Sequence, residues 1–443
     1  MLRLTSFHQW LRAHSRLCLA SLVCAIAVGV WLGVVFWRLS QFRAAERAVE
    51  DGHFIQARNH LNRCLTYWPH DANVISLAAR LERLEGHYEA AEALLTTCLT
   101  HNGPTSLSAL EAMLLKVQRG DLADEGLLLK LVDSGNPHSP WILEALARAH
   151  LAALRFRPAL DRLEHWLKIQ PDCLRALDLQ GRILEHTGWP DKAMEIYERM
   201  LQRDPRRWQI RLRLVAILLS SVAIPEASVH LGILERDQPD SADVQVALGQ
   251  RDNLLGQSDQ ARLRFRRALA IDSKHVGALL QLGKLDVEMD QLAEAENRLT
   301  RAAELRPFDL DVHFNLFRCY RRGGKKAQAD FHRHKYEVLR KNTDQINNLL
   351  LEKIPKAPKD PDLLTKVGTL FLAVGEEQRG IDWFKRALTF DPNYRPAHAA
   401  LAEYYEQARQ PEKAAGHRAL TGHESEKRPT GKGKTASPLP TAP

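Results

Sequence analysis

The stretch "GWPDKAMEIYERMLQRDP" occupies residues 188–205, "GQSDQARLRFRRALAID" begins at Gly256, and "DQLAEAENRLTRAAELRP" begins at Asp290. Each opens on Gly or Asp and carries Ala five residues later. A bulky apolar residue follows four beyond that, and a small or sulfur-bearing one three further on. The starts are 68 and 34 residues apart. One amphipathic helix is written again and again at one interval, and that interval decides the fold.

Set out in rows of 34 from Arg38, nine consecutive rows align to Thr343 without a gap. One column reads Ala57, Ala91, Glu125, Ala159, Ala193, Ala227, Ala261, Ala295, Ala329. Four residues on, another reads Leu61, Leu95, Leu129, Leu163, Tyr197, Leu231, Phe265, Leu299, Arg333. The first half of the row has its own small column: Ala45, Ala79, Met113, Ala147, Gly181, Val215, Gly249, Gly283, Phe317. Near the row end stand Pro69, Pro137, Pro171, Pro205, Pro239 and Pro307. Each row therefore reads as a helix, a short turn and a second helix. Small residues lie where the two backbones cross, large apolar ones fill the space beside the crossing, and proline ends the second helix.

These columns resemble the tetratricopeptide repeat, a 34-residue helix-turn-helix unit. The resemblance covers residues 38–343 as nine contiguous repeats. After them "DQINNLLLEKIPKAPKDP" extends the preceding helix to about Ile354 and breaks at Pro355, Pro358 and Pro361, so 344–360 reads as helix extension and linker. Two further repeat-like rows fill 361–421, starting at Pro361 and Arg395. The Pro-, Gly- and Lys-rich residues 422–443 are expected to form a disordered basic tail. The fold implied is all-α: a superhelical solenoid of about 11 helix-turn-helix repeats, in which stacking buries faces that no single pair can bury alone.

At the other end, "LCLASLVCAIAVGVWLGVVFW" (17–37) runs 21 residues without a charge. As a helix it is about 31 Å long, enough for a hydrocarbon core of about 30 Å. Trp37 and the flanking Arg16 and Arg38 suit the two interfaces. The run exceeds a cleaved leader's apolar core and no small-x-small site follows it, so an uncleaved transmembrane signal anchor behind a short tail (1–16) is expected. Arginines stand on both sides, and the usual disposition of a signal anchor places the C-terminal repeats outside the cytoplasm.

Bulk composition is that of a globular chain: 443 residues, 45% hydrophobic, 26% charged, net charge +8. So mild an excess admits acidic partners or anionic headgroups without requiring nucleic acid, and none is expected. The six cysteines show no C-x-x-C spacing; Cys64 and Cys98 share a column and read as core thiols. No G-x-S-x-G and no zinc-protease helix are present. "GKGKT" at 431–435 lacks the first glycine of a phosphate loop, and His332 and His334, two apart, point to different sides of a helix and read as solvated. The chain is thus read as a non-enzyme without cofactor or metal.

By the geometry of the family it resembles, row positions 2, 5, 9 and 12 of the first helix face a concave groove. Position 9 reads Arg80, Leu114, Arg148, Arg182, Ala216, Gln250, Lys284, Arg318, five of eight basic and none acidic. Such a ladder suits carboxylates of an acidic peptide. Glu144 and Asp178, four residues before Arg148 and Arg182, offer a purely local pairing instead. Trp141 and Phe314 also point inward as candidate aromatic anchors. A basic stretch at 318–341 reads either as a polyanion site or as a solvated face. The function expected is a membrane-tethered scaffold that takes a protein or acidic peptide in its groove during assembly of an envelope complex. The alternative is a non-catalytic regulatory or targeting subunit of an enzyme on another chain. The sequence specifies no oligomeric state.

Overall fold

The computed structural model describes the backbone of residues 15–421 and the side chains of that span other than 15–27 and 30. The N-terminal tail to residue 14, the Arg16 side chain and the basic C-terminal tail from 422, with "GKGKT", lie outside the described residues.

All described elements are helical, and they recur in pairs on the 34-residue interval. Two compact units are distinguished, Met1–Pro205 and Arg206–Pro443. In the first, Ser15–Glu50 pairs with Phe54–Tyr67, followed by Ala72–Glu85 with Tyr88–Asn102 and Ser106–Gln118 with Glu125–Asp133. Ser139–Ala152 with Phe156–Ile169 and Leu174–His186 with Pro190–Arg203 complete it. The second unit holds six pairs, from Trp208–Ser220 with Ile224–Asp237 to Arg395–Gln407 with Pro411–Leu420. Within a unit most helices pack on the next, except in row three, where Ser106–Gln118 and Glu125–Asp133 both pack on Ser139–Ala152; most first helices of neighbouring rows also touch. The division falls after row five, inside the nine-row run.

Row position 15 explains the Gly or Asp on which each quoted stretch opened. Gly52, Gly86, Gly120, Gly188, Gly256, Gly324 and Gly375 all have φ between +72° and +101°. In the remaining rows Leu154, Val222, Asp290 and Arg409 take up the same left-handed turn at +53° to +63°. The turn folds the chain back on the first helix: the amide of Gly256 donates to Asn253 O (3.0 Å) and that of Gln257 to Asp252 O (2.9 Å). Glycine adopts this backbone freely, whereas a β-branched residue such as Val222 is strained in it.

The two small columns and the bulky column form one packing device. An added Cβ on Gly181 would lie 2.5 Å from the Tyr197 ring, on Gly249 2.5 Å from Phe265, and on Gly368 2.6 Å from Phe384. Where the first helix carries Ala instead (Ala45, Ala79, Ala147), the partner sixteen residues on is Leu61, Leu95 or Leu163, all buried. Volume lost on one helix is restored on the other, as close packing demands. Row three departs from this. Its second helix begins late at Glu125, in the alanine column, and Glu125 accepts from His150 Nε2 (2.9 Å) and Arg162 Nε (3.3 Å) of row four. An ion pair stands there in place of a helix crossing.

The second helix of row nine runs on past the row end, Lys326–Asn348, into a π-helical turn, Leu349–Lys353, closed by Ile354 N–H on Leu349 O at 2.8 Å. The wider turn lets the consecutive Leu349 and Leu350 both face inward, with Ile354 beside them. Cys64, Cys98 and Cys319 are buried free thiols.

Among the described residues no helix is long and apolar enough to cross a membrane. Most of the 17–37 run, the side chains of 17–27 and 30, lies outside those described. Its backbone belongs to the helix Ser15–Glu50, which continues unbroken into the first helix of row one.

Two substitutions test this account. Val222 is well exposed, so Val222→Gly relieves backbone strain without loss of core and is expected to stabilise the protein by about 1 kcal/mol, read as a higher urea midpoint. Gly249→Ala is expected to cost about 1–3 kcal/mol, and Phe265→Leu on the same chain to recover most of it. Additive costs in the double variant would show that the two columns do not compensate each other.

Candidate partner-binding site

The inward faces of the two units treat their cations differently. In the first unit Arg83, Glu111 and Gln118 form a buried cluster: Arg83 Nε and Nη2 donate to the two Glu111 carboxylate oxygens (2.8 and 3.2 Å), and Nη1 to Gln118 Oε1 (2.8 Å). Glu144, also buried, pairs with Arg148 (3.1 Å) and Arg175 (3.3 Å). Burial works to raise the Glu144 carboxyl, but Arg175, Arg148, Arg80 and Arg83 together outweigh it and hold it below the usual carboxylate range.

Arg80 is only 2% exposed and lies over the Trp141 ring at 3.7 Å. Its Nε and Nη2 find no hydrogen-bond acceptor. Desolvation pushes its guanidinium down to about 10, against the pull of Glu111 and Glu144. Arg175 Nη1 donates to Val49 O (3.2 Å), tying row five to row one. The structure thus corrects the sequence reading at two positions. Arg80 is buried and Trp141 is stacked on it, so within this unit the expected groove is occupied by the chain's own side chains. Arg148 is held by Glu144 in the local pairing its spacing allowed, whereas Arg182 stays half-exposed and sits 3.9 Å from Asp178.

In the second unit Lys284 and Arg318 are half-buried, as Arg148 is in the first, but neither pairs with a buried carboxylate among the described residues. Lys284 meets only the exposed Asp311 of the next row (3.8 Å), and Arg318 donates to Asn315 Oδ1 (3.3 Å). Phe314 is 38% exposed and its ring lies 5.4 Å from that of Tyr336. Tyr336 in turn lines a cleft of about 650 Å³ beside the π-helical turn. Arg340, Lys341, Lys353 and Lys366 reach into this cleft with Glu337 and Asp344, and none of the four cations is ion-paired with a described residue. The cleft opens at the C-terminal end of the basic stretch. Lys284, Arg318 and Phe314 were legible from row position; Lys353 and Lys366 were not, because the π turn and the register shift bring them there.

The grouping of possible metal ligands among the described residues, Glu82, Glu85 and His87, is filled by Arg58, which pairs with both glutamates.

Family models described as tetratricopeptide repeat match residues 174–217 and 254–313. The chain carries tetratricopeptide repeats. The peroxisomal targeting signal receptors of Komagataella phaffii (strain GS115 / ATCC 20864) and Komagataella pastoris are each 28% identical to it over 198 residues, covering 38% of this chain and 34% of theirs. The chain thus spans about a third of the length of these curated relatives. Among solved structures, MamA (41-end) from Desulfovibrio magneticus RS-1 is 20% identical with a TM-score of 0.34, over 38% of this chain and 94% of that one. The Cut9–Hcn1 hetero-tetramer of APC/C is 16% identical with a TM-score of 0.36, over 86% and 80%.

One recurrent feature of these tetratricopeptide repeats was missed in the sequence. Row positions 4 and 23, nineteen residues apart on facing helices, hold a polar pair: Gln41–His60 (2.8 Å), Arg211–His230 (3.0 Å), His313–His332 (3.0 Å) and His398–His417 (2.9 Å). His332 is therefore half-buried against His313 and not a solvated histidine. His313 Nε2 donates to Pro307 O (2.8 Å), so its Nδ1 accepts from His332 Nδ1–H. His398 repeats the arrangement on Pro392 O (2.9 Å). The 19-residue spacing was the available signal. Protonating both rings would set two N–H groups face to face. Burial, with the charges of His313 and Lys335, pushes His332 down to about 4, and burial also lowers His313 and His417.

The sign follows. A histidine whose folded pKa lies below its unfolded value near 6.5 contributes stability in full above about pH 6.5, and loses it as pH falls towards about 4. His332→Gln keeps a donor for His313 without the titration. Thermal unfolding across pH 7 to 4 is expected to show a shallower loss of stability in the variant, and parallel curves would exclude the pair as an acid-sensitive element.

Proposed function

We propose that this protein is a membrane-tethered scaffold whose second unit holds an acidic, extended segment of a protein partner. The observation that carries the reading is the contrast between the units. The first pairs Arg83, Arg148 and Arg175 with its own buried Glu111 and Glu144, while in the second Lys284 and Arg318 have no buried carboxylate partner among the described residues, and the face continues through Phe314 and Tyr336 into a cleft whose four cations have no ion-pair partner among them either. Unpaired, clustered cations beside an exposed aromatic ring offer carboxylates charge-assisted hydrogen bonds and an apolar side chain a place to rest. Similarity to targeting signal receptors agrees with a peptide-holding role.

The tether is the uncharged run 17–37. The described part of that helix exposes Val28, Trp31, Leu32, Val34 and Phe36, each at least half accessible. Apolar residues so displayed are suited to lipid. With the anchor in its usual disposition the repeats lie outside the cytoplasm, where assembly of an envelope complex would take place.

The test is affinity capture by the detergent-solubilised full chain. Lys284→Glu, Arg318→Glu and Lys366→Glu combined are expected to lose the captured partner, weakening binding at least ~10-fold, about 1.4 kcal/mol. Arg182→Glu, on the first unit, is expected to retain it. Wild-type affinity should fall with added salt. Equal capture by the triple variant and the wild type would overturn the groove assignment.

A further inference from the structure

We infer that the first repeat is seated against the lipid–water interface, held there by an aromatic belt of Trp37, Tyr67 and Trp68. The inference rests on the membrane tether proposed above and adds a surface to it.

The belt is assembled from two helices. Ser15–Glu50 carries the uncharged run as far as Trp37 and then, without a break, becomes the first helix of row one. From Arg38 to Glu50 it advances about 20 Å beyond the run. Phe54–Tyr67 returns antiparallel over a similar length, so its last residues arrive back beside the point where the run ends. There the Trp37 ring stands edge-on to Tyr67 at 5.4 Å and tilted against Trp68 at 5.9 Å, with Tyr67 and Trp68 themselves 5.8 Å apart. Tyr67 is 65% exposed and Trp37 37% exposed. Trp68 packs partly against the core of the first repeat, whereas the rings of Trp37 and Tyr67, left open on a soluble face, lose the gain of burial; at the headgroup level an apolar body and a polar edge are both satisfied.

Charge supports the same depth. The Arg38 guanidinium lies 5.0 Å over the Trp68 ring and pairs with Asp71, in the loop that follows Trp68. Arg38 is the first charged residue after the run. It therefore marks the polar boundary and clamps the Trp68–Asp71 loop to it. The occupant is a lipid surface and not a protein, because the belt is continuous with exposed Phe36, Val34 and Leu32 on the helix below.

The experiment uses the full chain reconstituted in phosphatidylcholine vesicles, with and without lipids brominated at a shallow acyl position, which quench nearby tryptophan. Wild type and Trp68→Phe are compared, with thermal unfolding confirming that both are folded. The expected result is that Trp68→Phe loses emission from the quenched fraction, and that Tyr67→Trp added to it restores that fraction one residue away. If the emission lost belongs to the unquenched fraction while Trp31 and Trp37 are still quenched, the belt is overturned and the tether stands. If the wild type shows no quenching at all, the tether fails and the belt with it.

Discussion

Every repeat depends on one backbone constraint, the left-handed residue at the turn between its helices. That residue reverses the chain in so few atoms that, outside row three, the second helix lies close along the first. Close approach then fixes side-chain volume: glycine faces Tyr197, Phe265, Phe384 or Leu299, and alanine faces leucine. Position 15 is glycine in most rows because L-residues lose energy there. Its strict geometry in Leu154, Val222, Asp290 and Arg409 shows that packing prevails where the residue is unfavourable. A strain of the order of 1 kcal/mol is small beside the burial of a whole helix face.

From that constraint follows the direction of each first helix, and with it the fate of the inward charges. A guanidinium removed from water requires acceptors or an aromatic face. The first unit supplies them at row positions 5 and 6, where Glu144 and Glu111 stand. The second unit has no acidic residue at those two positions in any row; Leu280, Gln281, Phe314, Asn315, Thr365 and Lys366 occupy three of them. Lys284 and Arg318 therefore keep part of their surface in water, although Arg211 and Arg386 of this unit are buried; the carboxylate proposed for them would come from another chain. The same repeat scaffold yields a sealed face or an open one according to two positions per row.

Most of the helix pairing was legible in the sequence because it is local. Turn, crossing and stop all fall within one 34-residue row and repeat often enough to expose their columns. Arg80 was misread for the opposite reason. Its burial depends on Arg175 reaching Val49 and on Trp141 lying two rows ahead, contacts that arise from the curvature of several stacked rows and not from any one of them. His332 was misread because its partner His313 lies on the facing helix, and the 19-residue spacing has no meaning within a single helix. The cleft at Tyr336 depends on the π-helical turn, whose extra residue changes which side chains share a face. Register within a row is written in the sequence; what several rows enclose together is not.

The unbroken helix Ser15–Glu50 would give the proposed tether a mechanical consequence. A flexible linker would let a repeat array sample many orientations above a membrane, with an effective concentration for surface-bound partners set by linker length. Here no linker intervenes, since the residues that leave the uncharged run are already the first helix of row one, packed through Ala45, Ala48 and Val49 against Phe54–Tyr67 and Ala72–Glu85. Tilting the uncharged run then means tilting the first repeat, and the Arg38–Asp71 pair opposes any hinge between them. The sealed network of the first unit serves the same end. Side chains that cross from row to row, Arg83 to Glu111 and Arg175 to Val49, resist the opening of adjacent repeats. A rigid base built from buried charge is seldom the most stable solution physically, but it admits few alternative packings, and a fixed base is what the proposed tethered scaffold would require.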